Sequence, residues 1–588
     1  MAVSSDALPH LQPFELTRPQ KVLTLLGVLL GMLLAALDQT IVSTAGPAIQ
    51  RDLEIPASLY AWITTAYMVA STVLVPVYGK LSDAFGRRRI LVIGIVIFLL
   101  GSALCGLSRT TLQLILARAL QGVGSASLFT SAFAIVADIF PASERGKYQG
   151  LFGAVFGLSS VVGPLVGGFL TDHLSWHWVF FVNLPLGAVA LTFILTRMPP
   201  MRHPGRKASV DVLGALMLAM FTVPLLLALS LGRGVVAPGE TGYAWGSPQI
   251  VGMFALSVVG LIAFIVVERN VQEPILDLAL FRNKVFAVGN AAAFVSGAVF
   301  LGAIVFLPLF MVNVVGLSAT SSGFTLTPLT LGIVAGNILS GQLVSRLGRY
   351  KALILGSQLV LTVAFGLMAF TLSPTSTQLS LTLKMILVGL GLGPAIPLLT
   401  LAIQNGVAPH QIGVATSSAT FFRQMGSTIG VALLGTVFGV ALSSSMATRM
   451  AEATRDVPVE LRQQLAPRQA TGGHASEEGG PTERSFDAAA LKARIAEDFT
   501  KQREALAPAA QAGDLAAKER LTGLEQAQRT AEATVDKAAL AFKEAFSEAT
   551  RDIYRITLLI AVLAFLVTLA LPELPLRKTH GPQPPTLE

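Results

Sequence analysis

Residues 79–89 read GKLSDAFGRRR, and they lie between an apolar run at 58–78 and another at 90–107. Each flanking run is close to the ~20 apolar residues that cross a ~30 Å hydrocarbon core as a helix. A charged loop between two such runs marks a chain that crosses a bilayer and turns back. The pattern returns at 341–351 as GQLVSRLGRYK, with Gly79, Leu81, Gly86 and Arg87 recurring in register as Gly341, Leu343, Gly348 and Arg349. Each copy follows the second span of a six-span block. Two six-span halves around a midplane site is the logic of many secondary transporters.

The composition agrees. Hydrophobic residues make up 53% of the 588 and charged residues 13%, against about 25% charged in a soluble domain. Length alone would suggest roughly four soluble domains, but the apolar runs overrule it. A bilayer admits only helices or closed barrels, and these runs are continuous rather than alternating, so an all-α membrane protein is expected. The spans read approximately 22–46, 58–78, 90–107, 111–137, 150–170, 178–197, 211–231, 249–267, 285–313, 322–345, 351–372, 379–402, 413–440 and 553–571, fourteen in all. The single cysteine, Cys105, excludes an internal disulfide and a Cys-based metal site. Residues 1–20 are polar, and the run from Val22 leads into Asp38 without a small-residue cleavage pattern, so the first span is expected to be retained.

Basic residues orient the spans. One set of loops and tails holds Arg18, Lys21, Lys80, Arg87, Arg88, Arg89, Arg145, Lys147, Arg197, Arg202, Arg206, Lys207, Arg269, Arg282, Lys284, Arg346, Arg349, Lys351, Arg577 and Lys578. The opposite short loops hold Arg51, Arg109 and Arg233, so twenty stand against three. Both termini are expected in the cytoplasm, of a protein in the cell (inner) membrane. The net charge of +8 reflects these loops and not nucleic-acid binding.

The expected organisation is a cytoplasmic tail (1–21), a six-span half (22–197), two extra spans with their loops (198–284), five spans of the second half (285–440), an external insert (441–552), the last span (553–571) and a cytoplasmic tail (572–588). Within the insert, 466–485 reads as a flexible linker. Residues 486–507 and 513–550 read as helices, because Phe486, Leu491, Ile495 and Phe499, and then Leu524, Ala531, Val535, Ala538, Phe542 and Phe546, recur at helical spacing. A helical hairpin outside the membrane is one reading and a loosely ordered insert the other.

GKLSDAFGRRR resembles the loop signature of the major facilitator superfamily. Several further motifs, in order, are similar to those of its fourteen-span drug:proton antiporters: LDQTIV (37–42) in the first span, Arg118 with Gln121-Gly122 within LILARALQGVG (114–124), GLSSVVGPLVGG (157–168), and WHWVFFVNLP (176–185). The resemblance covers nearly everything except 441–552. It implies a proton-coupled efflux antiporter for amphipathic drugs or small hydrophobic metabolites that works by alternating access. The resemblance implies no enzyme, no cofactor and no metal. Its partners would be small amphipathic substrates, protons, the lipid bilayer and an envelope partner for the insert. The rival within transport is export of a lipid-like product, with the insert extending the path. A non-transporting receptor is the rival from another class. No Walker sequence, catalytic set or metal-ligand spacing stands against these readings.

Gly79 and Gly86 permit tight backbone turns. Asp83 with Arg87, Arg88 and Arg89 can form a conformational lock, the alternative being plain charge anchoring; Asp138, Glu144 and Arg145 either join that network or are solvated. Ser345 replaces the acid in the second copy, so any lock there is weaker or absent. A charge deep in a span costs about 2.5–3.5 kcal/mol even on the gentlest scale. Asp38 is therefore the acidic candidate for proton coupling, or else a packing aspartate bonded to Thr40 or a neighbouring span. Arg118 tunes a carboxylate or binds an anion, or else bonds carbonyls of the first span. Gly153, Gly157, Gly163, Pro164, Gly167 and Gly168 suit a rocking interface, although packing alone predicts the same residues. Arg423, with Gln424 in TFFRQMGSTIG (420–430), is a further cavity charge, while Lys384 is expected to snorkel. Spans nine to fourteen hold no interior carboxylate, which argues against a strongly dication-selective cavity.

Overall fold

The computed structural model describes residues 16–60, 62–201, 211–233, 243–316, 327–453, 455, 488–512 and 514–577. The long helices are α1 (Arg18–Asp52), α2 (Trp62–Phe85), α3 (Arg87–Gly106), α4 (Thr111–Ile139), α5 (Ala142–His173), α6 (Asn183–Arg197), α7 (Val212–Leu231), α8 (Pro248–Asn270), α9 (Lys284–Phe310), α10 (Thr327–Leu347), α11 (Lys351–Thr371), α12 (Gln378–Asn405), α13 (Ile412–Ala453), α14 (Ala488–Gln511) and α15 (Leu515–Leu569). Among the described residues thirteen helices are long and apolar enough to span a bilayer. α9, 27 residues of mostly apolar sequence, supplies the fourteenth. The fold is the expected all-α one; among the described residues the only strand pairing joins Gly232–Arg233 to Tyr243–Ala244.

Polar residues at the starts satisfy orphan amides. Thr110 accepts from Gln113 N at α4, Asp211 from Gly214 N at α7, Ser247 from Ile250 N at α8 and Thr377 from Ser380 N at α12. Large apolar side chains stay exposed along the bundle, among them Leu100, Leu116, Phe169, Val259, Ile262, Phe370 and Leu383. In water such a surface would drive association; here it faces lipid.

Two packed cores correspond to the two halves, one around Met32, Ile95, Phe98 and Ile135, the other around Phe310, Phe365, Met385 and Leu392. The extra pair α7–α8 is stitched by Ser257 Oγ donating to Phe221 O at 2.8 Å. Leu218, Leu226 and Phe264 of this pair join Val75 and Tyr78 of α2 and Val414 and Phe421 of α13. The pair thus flanks one seam between the halves.

The face at which α1 begins and α15 ends is the terminal face. Near it the halves meet along α2–α13 and α5–α10. A Cβ at Gly79 would run into Ser417, and one at Gly341 into the Gly146 carbonyl. Gly86 and Gly348 both take positive φ, 97° and 68°, a conformation that costs glycine least. The sequence repeat is therefore a repeat of backbone conformation and of close approach.

Several boundaries differ from the sequence expectation. α5 begins at Ala142, not 150, which puts Arg145 inside its first turn, and it runs unbroken through Pro164. The sixth span begins as a four-residue turn, Trp178–Phe181, before α6. The last span is not a separate helix from 553: α15 runs without interruption for 55 residues from the insert into the membrane. Nothing in RDIYR (551–555) breaks a helix, since it has neither Gly nor Pro. α14 packs on α15 through Leu491, Ile495, Phe499, Ala531 and Val535, a helical hairpin. Phe486 and the linker 466–485 lie outside the described residues.

Candidate functional site

Asp38 sits about midway along α1, wholly buried. Its Oδ2 accepts from Arg118 Nη1 at 2.8 Å, and its Oδ1 from Gln121 Nε2 at 2.7 Å and Asn183 Nδ2 at 2.9 Å. The helical spacing of Arg118 and Gln121 puts both on one face of α4, and Arg118 Nη1 also donates to Gln121 Oε1 at 2.6 Å. Arg118 Nε donates to Ile63 O at 3.2 Å, and its guanidinium lies 4.3 Å from the Tyr67 ring centroid. Tyr67 in turn bonds Ser125 Oγ at 2.6 Å, and Asn183 bonds Ser102 Oγ at 2.9 Å. The charges cancel within this cluster. Thr40 does not bond Asp38; it bonds carbonyls of its own helix and Ser159 O of α5 at 2.9 Å. Arg118 bonds a carbonyl in the first turn of α2, not of the first span.

Asn183, Tyr67, Ser102 and Ser125 carry no role in the sequence reading. Asn183 stands within the WHWVFFVNLP motif, so position could have flagged it. Tyr67 had no signal, because an aromatic in an apolar run reads as packing. At the far end of this half, Trp176 Nε1 donates to Asp52 Oδ2 at 2.7 Å. His177 stacks on Trp176 and pairs with Ser175 Oγ at 2.6 Å; partial burial pushes its imidazole down from the ordinary value.

The second cluster lies at the terminal face. Arg87 pairs with Asp83 and, through Nε, with Asp138 Oδ2 at 2.7 Å, all three side chains being buried. Asp83 Oδ2 also accepts from Val414 N at 3.2 Å. Val414 is in the first turn of α13, where amides lack helical partners and the dipole favours an anion. Asp83 therefore ties the first half to the second. Gly413 is pressed against Asp83 and Arg87, which leaves no room for a side chain there. Lys80 pairs with Glu273 at 2.6 Å and so connects the same loop to the segment after α8.

Not every expected member joins the lock. Arg88 donates to Leu195 O at the end of α6, and Arg89 is exposed. Arg145 donates to Ala137 O at 2.8 Å and Phe140 O at 2.9 Å, so it caps α4 in place of bonding Asp138; Glu144 stays exposed. In the second copy Ser345 bonds its own helix at Gly341 O, and Arg346 and Arg349 are exposed. Tyr350 there holds the chain after α15, accepting from Leu574 N at 2.9 Å.

The antiporter motif divides between two neighbours. Gly157 faces Val334 of α10 in the other half, whereas Gly163 and Gly167 face Thr40 and Thr44 of α1. Gly168 has open space, and Pro164 sits inside α5. Lys384 is buried and donates to Thr371 O at 3.4 Å at the end of α11. Arg423 lines a cavity in the second half with Ser296, Phe300, Leu392, Leu399 and Thr400. Among the described residues no group that could hold a metal ion is present.

The Major Facilitator Superfamily profile matches residues 28–431. "Multidrug resistance protein 3" of Bacillus subtilis is 43% identical over 70% of this chain and 78% of its own length. "Multidrug transporter protein MdtP" of the same organism is 39% identical over 75% and 80%. The human organic anion transporter MFSD10 (TETRAN) aligns in structure with a TM-score of 0.53 at 18% identity, over 72% of this chain and 94% of its own; at that identity the likeness concerns the fold.

Proposed function

The chain belongs to the Major Facilitator Superfamily, a multi-pass transporter fold and not an enzyme, and from that premise we propose that it exports amphipathic drugs or small hydrophobic metabolites in exchange for protons. The relatives named for multidrug transport and resistance support the cargo class. The observation that carries the coupling is the buried carboxylate of Asp38, the one acid well inside a span of the first half, closed in by Arg118, Gln121 and Asn183. Three donors leave one lone-pair site on Oδ2, so a proton arriving at Asp38 takes that site and removes the charge that holds Arg118. Arg118 is then less firmly held, and cargo and proton act on the same group.

Alternating access requires the terminal face to open and shut. Asp83, Arg87 and Asp138 hold it shut, with Val414 N one of the contacts that cross between halves, beside Gln149 Nε2 to Gln404 Oε1 at 3.2 Å. In the opposite state α13 withdraws from Asp83. The bias of twenty basic residues against three supports a cytoplasmic terminal face in the cell (inner) membrane. The hairpin then stands outside, where an envelope partner could reach it.

A lipid-like cargo is the second reading, supported by α13 and α15 running on past the bundle, clasped by Arg449 to Glu544 and Glu548. Leu491, Ile495, Phe499, Ala531 and Val535 of the hairpin face one another and so offer no surface to acyl chains, which favours drug export. The test is reconstitution into liposomes under a proton gradient, with fluorescein (anionic) and ethidium (cationic) added in turn and proton movement read by a pH electrode. Cargo-dependent proton movement is expected. Transport without proton movement removes the antiport, and neither movement removes the reading.

A further inference from the structure

From Leu278 to Ala451 the sequence contains no Asp or Glu. Arg423 lies in that stretch, half-buried, and no hydrogen bond or carboxylate from the described residues meets its guanidinium. Neighbouring α9 cannot supply one, because its sequence from 284 to 310 has no acid. Lipid-facing or sealed sites do not keep an unpaired arginine; such residues face a cavity or a partner. Here the cavity is present, lined by Ser296, Phe300, Leu392, Leu399, Thr400 and Ala419.

Two further observations bear on what enters it. Gln358, fully buried, donates its amide to Ser296 Oγ at 2.9 Å. Ser296 donates to nothing among the described residues, so its hydroxyl proton is available to a guest, while Gln358 Oε1 stays without a partner. Thr400 offers no such proton, because it donates to Ile396 O at 2.9 Å. The cavity so presents donors, Arg423 and Ser296, within apolar walls. The other interior charges do not offset it: Asp38 is matched by Arg118, and Lys384 adds positive charge at the far end of α12. The space is about 20 Å³ in this closed form, room for a small polar group and not a whole drug.

Resting on the export reading above, we propose that this cavity is the head-group subsite of the cargo, and that it selects amphipathic molecules bearing an anionic group, carboxylate or phenolate, over organic cations. The guanidinium fork suits a planar anion through two parallel bonds, while Phe300, Leu392 and Leu399 meet the apolar body.

The test is equilibrium binding to the purified full chain in nanodiscs, using xanthene dyes that share one ring system: fluorescein, anionic, and rhodamine 6G, cationic. Fluorescein is expected to bind at least tenfold more tightly than rhodamine 6G. Arg423→Ala should erase that preference by weakening fluorescein alone, and Arg423→Lys should retain part of it. Equal or tighter binding of rhodamine 6G to the unaltered chain overturns the subsite while leaving export intact. So does a loss at Arg423→Ala that is the same for both dyes. If neither dye binds and neither fluorescein nor ethidium is moved in liposomes, the export reading falls and the subsite with it.

Discussion

The Arg118 guanidinium lies 2.8 Å from the Asp38 carboxylate, and both groups are shut away from solvent. Two charges in such a place depend on each other. Removing one partner of a buried pair costs about 3–5 kcal/mol, chiefly because the other charge stays behind uncompensated. Ile63 O, Gln121 and the Tyr67 ring remain to hold Arg118, so the loss here should fall toward the low end.

Asp38→Asn is therefore expected to abolish cargo-induced proton release in liposomes and to lower thermal stability measurably. The double variant Asp38→Asn with Arg118→Gln should regain the stability and not the coupling. A single variant that still releases protons on cargo addition would show that the coupling acid lies elsewhere.

Asp83→Asn should slow transport and leave equilibrium cargo affinity nearly unchanged. The reason is geometric: Asp83 reaches Arg87 and Val414 N at the terminal face and touches nothing in the midspan cluster. Loss of the charge weakens the tie to α13. With Cys105 replaced by Ser, a cysteine at Ser417, packed against Gly79, should then label faster with a water-soluble maleimide. A large fall in affinity, or unchanged labelling, would count against a gating role.

The sequence was most legible where a residue had to be of one kind. Gly86 and Gly348 stand out because the backbone there takes positive φ, and the repeat could be read from them. Asp38 and Arg118 stand out because charges are costly in a span. The span count followed from run lengths alone. Less legible was anything that depended on which of several competent partners is nearest. Arg145 could equally have met Asp138, but it starts α5 and so lies under the last carbonyls of α4. Tyr67 and Asn183 join the Asp38 cluster through tertiary packing that no spacing announces. The fusion of insert and last span in α15 was hidden by the charges at 551–555, which suggested a membrane edge and therefore a boundary, although a helix crosses such an edge freely.

Gly157 separates a moving interface from a static one. A Cβ there would strike Val334 Cγ2 across the seam between halves. Gly157→Ala should lower the transport rate, and Val334→Ala added to it should restore most of the rate by vacating the space. Gly163→Ala meets Thr40 inside the same half, and it should reduce stability, with no rescue by Val334→Ala. Initial rates of cargo efflux, with thermal unfolding measured alongside, distinguish the two. Identical behaviour of the two glycine variants would mean that the motif serves packing alone.

The insert provides the last test, and the structure determines where to cut. A deletion from 450 to 549 would remove Phe542 and Phe546, which pack on the second-half core beside Phe438. It would also take away Glu544 and Glu548, the partners of Arg449 on α13. Such a cut damages the bundle and tests little. Replacing 456–535 with a short Gly/Ser linker keeps the clasp and Phe546, and it removes α14 together with the segment of α15 that α14 covers. The two apolar surfaces that meet at Ile495, Ala531 and Val535 leave together, so no sticky face is left behind. Asp38, Asp83 and Arg423 are all outside the deleted stretch. Cargo-induced proton movement should therefore persist at close to its normal extent, whereas net efflux from cells should fall several-fold. Loss of proton movement in a stably folded variant would make the hairpin part of the transport core. Unchanged efflux would instead assign it to docking an envelope partner, which pull-down with the full chain, against the shortened chain as control, would then detect.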